Sequence, residues 1–286
     1  MFDFIARPVG MLLMFLYDTF QNYGVAIVVL TLLIRLVLLP LYYKQMKSTA
    51  KTQKLQPKIK ELQKRYKNDK DKLSQEQMKL YKEEGVNPMG GCLPTLIQLP
   101  ILFGLIAVFR EPLKFMYGYS AEMIEAAVAK LPEAMHGTYQ QVYAVVTEKG
   151  LNMNFLGFWD LSQVPRWNPA GIMENPRVFI PLLLIPILSA ITTYISMKMS
   201  NNAMFGKKDK NAPKGQKSEA DAMGGANNMM AYMFPLLSLW LGFSVPASLG
   251  LYWFIGYIFQ IGQQIVIQKI MEKKEKEKEE EDAKIA

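Results

Sequence analysis

Apolar residues in this chain fall in blocks, and the stretches between the blocks are dense in lysine and acidic side chains. A bilayer span needs roughly 20 mainly apolar residues. Five blocks come near that length and predict five helices: 22–41, 91–111, 177–197, 229–245 and 247–268. Only SVPAS separates the last two, which predicts a tight helical hairpin. The patch VGMLLMFLY at 9–17 is too short to cross, so residues 1–21 read as an interfacial helix on the outer surface. A leader sequence is the rival reading, but the basic start is weak and no small-residue cleavage site follows.

The polar stretches carry their own pattern. Residues 42–90 are Lys-rich with interspersed acids and predict a helical hairpin outside the bilayer. Its first helix covers 44–66, with Pro57 a kink. A turn falls at 68–72, and Ser74 with Gln77 three residues on has the form of a capping box for the second helix. Leu55, Ile59 and Leu62 lie at helical spacing and are expected to face Leu73, Met78 or Leu80. Residues 112–176 are aromatic and mildly acidic, without a long apolar run. Residues 198–228 are rich in Lys, Gly and Asn and read as a flexible loop. Residues 269–286 form a charged helix or a disordered arm.

Lys and Arg concentrate in 42–88 and 198–228, while 112–176 carries more acids than bases. Basic loops stay on the cytoplasmic side. The hairpin, the second loop and the charged tail are therefore expected inside. The N-terminus and 112–176 are expected outside, as an extracytoplasmic region. Five spans fit this alternation, in a multi-pass membrane protein.

Composition narrows the chemistry. The chain has 286 residues, half of them hydrophobic, 19 Met and a formal charge of +8. Cys92 is its one cysteine and His136 its one histidine, so no disulfide framework or histidine-rich metal site arises within the chain. No dinucleotide fingerprint, phosphate loop, zinc-protease or nucleophile-elbow motif is present. The reading is a non-enzyme with no cofactor and no metal.

One residue breaks the apolar pattern. Arg35 sits inside the first block, in TLLIRLVLLPL. A charge at membrane depth costs at least ~2.5 kcal/mol and is a functional-site hypothesis by default. No block carries Asp or Glu in its interior, Arg110 and Glu111 sitting at an outer boundary, so neutralisation must come from water, headgroups or an acidic group of another molecule. Arg35 precedes the Tyr42–Tyr43 interface by roughly 10 Å at ~1.5 Å per residue, in the cytoplasmic half. Snorkelling to headgroups is one reading. A water-filled groove open to the cytoplasm is the other. Semi-polar stripes on the spans favour the groove: Thr31 on the face of Arg35, Thr95 with Gln98, Ser189 with Thr193 and Ser196, and Trp253 with Tyr257, Gln260 and Gln264. Ordinary helix packing is the competing explanation of each stripe taken singly.

At these residues the chain resembles the YidC/Oxa1/Alb3 membrane protein insertases. The carrying stretches are TLLIRLVLLPL, KSTAKTQKLQPKIKELQKRY, SQEQMKLYKEEGVNPMGGCLPTLIQLPI and PASLGLYWFIGYIFQIGQQ. NPMGGCLP…QLPI is the most specific, and Cys92 belongs to it. The resemblance implies an all-α membrane protein, five spans around a positively charged groove closed on the outside. It implies Arg35 as the groove arginine, Thr31 as a groove threonine, and Trp253 beside Tyr252 as an aromatic position contacting the substrate. Where many relatives carry Gln near the end of the third span, this chain has Ser196 and Met197. The expected substrate-contact set is Arg35, Thr31, Gln98, Ser196, Tyr252, Trp253 and Gln260. The large outer domain of Gram-negative relatives has no counterpart here, which fits the shorter bacterial type.

The implied function is insertion of nascent membrane proteins, alone or with the Sec translocase. The cytoplasmic hairpin would receive substrates, and the loops and tail would touch the ribosome. Two other classes fit parts of the pattern. A small-anion transporter would use Arg35 as its binding charge but calls for internal repeats, and none is evident. A non-inserting assembly factor would need no groove.

Overall fold

The structure, a computed structural model, describes residues 3–86, 93–166, 173, 175–205 and 232–285. The NPMGG stretch with Cys92, residues 206–228 of the predicted loop, and 229–231 at the start of the fourth block lie outside the described residues, as does the side chain of Thr95.

The regular secondary structure of the described residues is helical except for one two-stranded ribbon. Its helices are α1 (Asp3–Phe20), α2 (Tyr23–Val37), α3 (Leu39–Lys54), α4 (Gln56–Arg65), α5 (Lys70–Glu83), α6 (Leu93–Arg110), α7 (Pro112–Phe115), α8 (Ala121–Val128) and α9 (Gln140–Lys149). The ribbon pairs β1 (Asn154–Phe155) antiparallel with β2 (Trp159–Asp160). α10 (Pro176–Phe205), α11 (Tyr232–Gly242) and α12 (Ala247–Ile285) complete the order. Among the described residues, Pro176–Asn202 is the one helical segment long and apolar enough by itself to cross a membrane, with mean hydropathy 2.2. Of the two forms expected for the charged tail, the chain adopts the helix, as the continuation of α12.

The chain divides into two units, Met1–Val37, Thr95–Thr193 and Pro235–Phe259 forming the first, and Leu38–Pro94, Tyr194–Phe234 and Gln260–Ala286 the second.

In the first unit, α1 buries Ala6, Gly10, Leu13, Leu16 and Tyr17, spaced three and four apart on one stripe. Phe4, Met11 and Phe15 stand exposed on the remainder, so both faces of this helix are apolar. Gly10 admits the backbone of Phe115, since any Cβ there would overlap the Phe115 carbonyl. α2 begins at Asn22, whose Oδ1 accepts from the Val25 amide at 3.1 Å, satisfying one of the orphan donors of a helix start. Its buried residues Tyr23, Ala26, Ile27, Leu30 and Thr31 form one face. The helix across the predicted 22–41 block is interrupted at Leu38. Pro40, in the first turn of α3, has no N–H to return to the Leu36 carbonyl.

Residues 152–163 tie three helix ends of this unit together. The Asn152 carbonyl accepts from the Tyr23 amide at 3.0 Å, and the carbonyls of Gln163 and Leu161 accept from the Ala247 and Ser248 amides at 2.8 and 3.1 Å. The first turns of α2 and α12 thereby find acceptors for otherwise unpaired N–H groups. The Trp159 indole donates to the Pro181 carbonyl of α10 at 2.7 Å. Phe155 lies against Gly24, where a Cβ would overlap its ring.

The second unit contains the predicted Lys-rich hairpin. α3 ends at Lys54 and α4 begins at Gln56, so Pro57 starts a new helix in place of a kink. The predicted capping box is replaced: Asp69, not Ser74, caps α5 by accepting from the Lys72 amide at 3.0 Å, and Ser74 lies within the helix. Leu55 and Ile59 are buried against Leu80, one of the expected partners, together with Val86 and Tyr81. Met78 is exposed. One ion pair, Lys58 to Glu84 at 2.5 Å, crosses from α4 to the end of α5.

Candidate functional site

Arg35 occupies the last turn of α2, one turn beyond Thr31. Thr31 is fully buried, and its hydroxyl donates to the Ile27 carbonyl at 2.7 Å. That back-bond fixes the side chain and turns its methyl outward from the helix. Opposite lies Gly256 of α12. A Cβ placed there would stand 3.2 Å from Arg35 Nη2, 3.9 Å from Nε and 3.8 Å from the Thr31 methyl. The guanidinium therefore rests across bare helix backbone. A glycine permits this; any side chain would push the cation away.

Two phenols share its surroundings. Tyr252, one turn before Gly256, is buried, and its hydroxyl hydrogen-bonds the Gln98 side chain of α6. Tyr257 hydrogen-bonds Thr193 of α10. Both hydroxyls lie within the electrostatic field of Arg35. Phe109 bridges the cluster to the core, 6.1 Å from the Tyr252 ring and 6.4 Å from the Tyr23 ring. Arg35 itself is half-buried, so the guanidinium is shielded in part from solvent, where electrostatic interactions strengthen.

α10 approaches α12 through the same device of small residues. Ser189 donates to the Gly250 carbonyl at 3.1 Å, and Gly250 faces Ile185. Thr193 donates to the Ser189 carbonyl at 2.7 Å and stands 3.5 Å from the Ser238 hydroxyl of α11. The Thr31 and Thr193 donors are thus spent on their own helices, leaving these hydroxyls as acceptors. Chemically, the cluster offers one cation, amide and phenol groups, and hydroxyl lone pairs. It contains no nucleophile–base pair. Among the described residues, no group of three His, Cys, Asp or Glu side chains gathers to hold a metal.

Of the expected contact set, Arg35, Thr31, Tyr252 and Gln98 come together here. Trp253 is half-buried and packs against the core cluster of the first unit. Ser196 and Gln260 belong to the second unit. There, Ser196 Oγ and Gln264 Oε1 are buried with no hydrogen-bond partner among the described residues. Gly256, Tyr257 and Ser238 join the site beyond the expected set. Tyr257 was legible as part of a polar stripe. Gly256 is four residues after Tyr252, on its face, and carried no other signal.

Comparison with known proteins supplies an independent line. The profile of the 60Kd inner membrane protein family matches residues 15–275. Membrane protein insertase YidC 2 of Listeria innocua is 34% identical over 269 residues, covering 92% of this chain and 70% of that protein. Membrane protein insertase YidC of Clostridium perfringens is 38% identical over 264 residues, 90% of this chain and 84% of its own length. The Caldanaerobacter subterraneus protein of that name is 33% identical over 265 residues, 93% of this chain and 94% of its own.

Proposed function

Since the chain belongs to the 60Kd inner membrane protein family, we propose that it is a membrane protein insertase whose working cation is Arg35. The observation that carries this reading is the guanidinium laid across Gly256, among Tyr252, Tyr257 and Gln98, in a helix otherwise uncharged. A fixed positive charge in a half-buried setting suits a short acidic tail that must pass an apolar region. Its carboxylates would accept charge-assisted hydrogen bonds from the guanidinium planar edge.

In this reading the tail enters from the cytoplasm, so the apolar distance it must traverse is shortened. Burial of the following apolar segment supplies the drive, on the order of tens of kcal/mol gross at ~25 cal/mol per Å². Arg35 holds the tail weakly enough for it to leave on the far side. No covalent bond is made or broken.

The wider architecture belongs to the same proposal: spans at 22–41, 91–111, 177–197, 229–245 and 247–268, the N-terminus and 112–176 outside, and the basic hairpin and charged tail in the cytoplasm. Nascent membrane proteins are the substrates. The Sec translocase and the ribosome are proposed partners, the latter through the cytoplasmic loops and tail.

The test replaces Arg35 with Ala and with Lys and follows insertion of a single-span substrate bearing an acidic tail. Loss with Ala and partial retention with Lys is the expected result. Normal insertion by the Ala variant would overturn the assignment of Arg35. Flux of a small anion into vesicles would favour a transporter instead.

A further inference from the structure

The β1–β2 ribbon carries an apolar turn with an unusual backbone. Leu156 and Gly157 both have positive φ, 55° and 79°, and the Phe158 amide returns toward the Phe155 carbonyl at 3.4 Å. Two positive φ values in succession are the sense of a type I′ hairpin turn, which favours Asn-Gly. A leucine at the first position pays a steric cost that asparagine largely avoids. Strain of this kind persists where something outside the local backbone rewards it. Here it holds Leu156 outward at 63% exposure, with Phe158 beside it at 45%.

Nothing in this turn resists an apolar medium. Residues 153–159, MNFLGFW, contain no charge. The next residue, Asp160, has its carboxylate engaged by the Ser162 amide and hydroxyl at 3.0 and 2.6 Å and by the Gln163 side chain at 3.3 Å. Phe158 and Phe155 pack on the Trp159 ring at 4.8 and 6.0 Å, which makes the ribbon a stiff aromatic wedge.

Its position selects the partner. The Trp159 indole is bonded to the Pro181 carbonyl. Pro181 adjoins Ile180, the first residue of an exposed stripe on α10 that continues through Leu184, Ile187 and Ile191. That stripe, on the helix apolar enough to cross a bilayer, is the surface lipid would cover. The turn is fastened at the level where the stripe begins, and aromatic residues concentrate at that depth of a membrane.

We propose that the 156–158 turn inserts into the bilayer interface next to the N-terminal end of α10, with Leu156 and Phe158 among the upper acyl chains. The proposal rests on α10 spanning the bilayer and is independent of the insertase reading. The turn then anchors residues 152–163, and through them the first turns of α2 and α12, to the membrane surface.

The test uses the full chain in phosphatidylcholine vesicles, with Cys92→Ser and a single bimane-labelled cysteine from Leu156→Cys, Phe158→Cys or Ile187→Cys. A turn buried about 5–10 Å into the interface predicts loss of about half the emission at 156 and 158 with a nitroxide lipid labelled high on the acyl chain, and little loss with iodide. Ile187→Cys is expected to respond to a deep nitroxide. Iodide quenching at both 156 and 158, without lipid quenching, would overturn the proposal and put the turn in water. Iodide quenching at 187 would overturn the span on which the proposal stands. No insertion activity is read, so these outcomes leave the Arg35 assignment untouched.

Discussion

Gly256 is the seat of Arg35: the guanidinium lies so close to the α12 backbone that a single methyl group at 256 would stand 3.2 Å from Nη2. This contact is tighter than ordinary van der Waals packing, yet its crowding partner is the end of a flexible side chain, which can yield. A Gly→Ala change within a helix is otherwise favourable by roughly 1 kcal/mol. Stability and activity should therefore separate. Gly256→Ala is expected to hold or raise the melting temperature in detergent while lowering insertion of an acidic-tailed substrate several-fold. Parallel thermal scans and an insertion assay check both signs. Unchanged insertion would detach the seating of Arg35 from function.

Two other glycines make contacts of a different kind. At Gly250 an added Cβ would meet the Ile185 methyl at 2.6 Å, whereas at Gly10 it would meet the Phe115 main-chain carbonyl. The Ile185 methyl can yield only by a small χ1 adjustment, since a β-branched side chain is stiff in a helix, but a carbonyl in the chain yields less still. Overpacking typically costs about 1–3 kcal/mol. Gly10→Ala is expected near the top of that range and Gly250→Ala near the bottom. Denaturation midpoints of the two variants give the order directly.

The Lys-rich hairpin has its own small core of Leu55, Ile59 and Val86. Truncating a buried isoleucine costs about 2–5 kcal/mol. Ile59→Ala should accelerate amide exchange throughout α4 and α5 and leave α1 and α2 protected. Hydrogen exchange read by mass spectrometry resolves the segments. Equal acceleration in α1 and α2 would mean the hairpin is not a separate cooperative element.

Tyr117, two residues beyond α7, gives a pH signature. Burial, with the nearby Tyr17, Asp18 and Tyr119, pushes its phenol from 10.0 up to about 12. A raised acid pKa means that the folded state favours the proton. The corresponding stability is present below pH 10 and is lost as pH rises toward about 12. Melting temperature should therefore fall across that window more steeply in the native chain than in Tyr117→Phe. Identical slopes would remove Tyr117 as the cause.

Several of these features were legible in the sequence, and the reasons differ. Arg35 announced itself because a charge inside an apolar run is anomalous whatever surrounds it. Gly256 did not, because its importance lies in the side chain it receives. The threonine stripes were visible as polarity, but spacing cannot reveal that Thr31 and Thr193 give their protons to their own helices. In the hairpin, the Ser74–Gln77 spacing matched a capping box, yet Asp69 sits at the actual chain reversal and takes that place. Residues 152–163 carried no warning. They have neither periodicity nor a long apolar run, and they act largely through main-chain hydrogen bonds and aromatic packing.

The fastening made by 152–163 also governs how α2 can swing against α12. With both first turns pinned, a relative tilt would be a rotation about that clasp, with displacement growing with distance from it. Arg35 and Gly256 lie about 18 Å and 13 Å along their helices from the clasp, at ~1.5 Å per residue. A tilt of only ~10° would then separate cation from glycine by about 2–3 Å on that geometry. Any parting of the two helices about such a rivet would open first where the charge is.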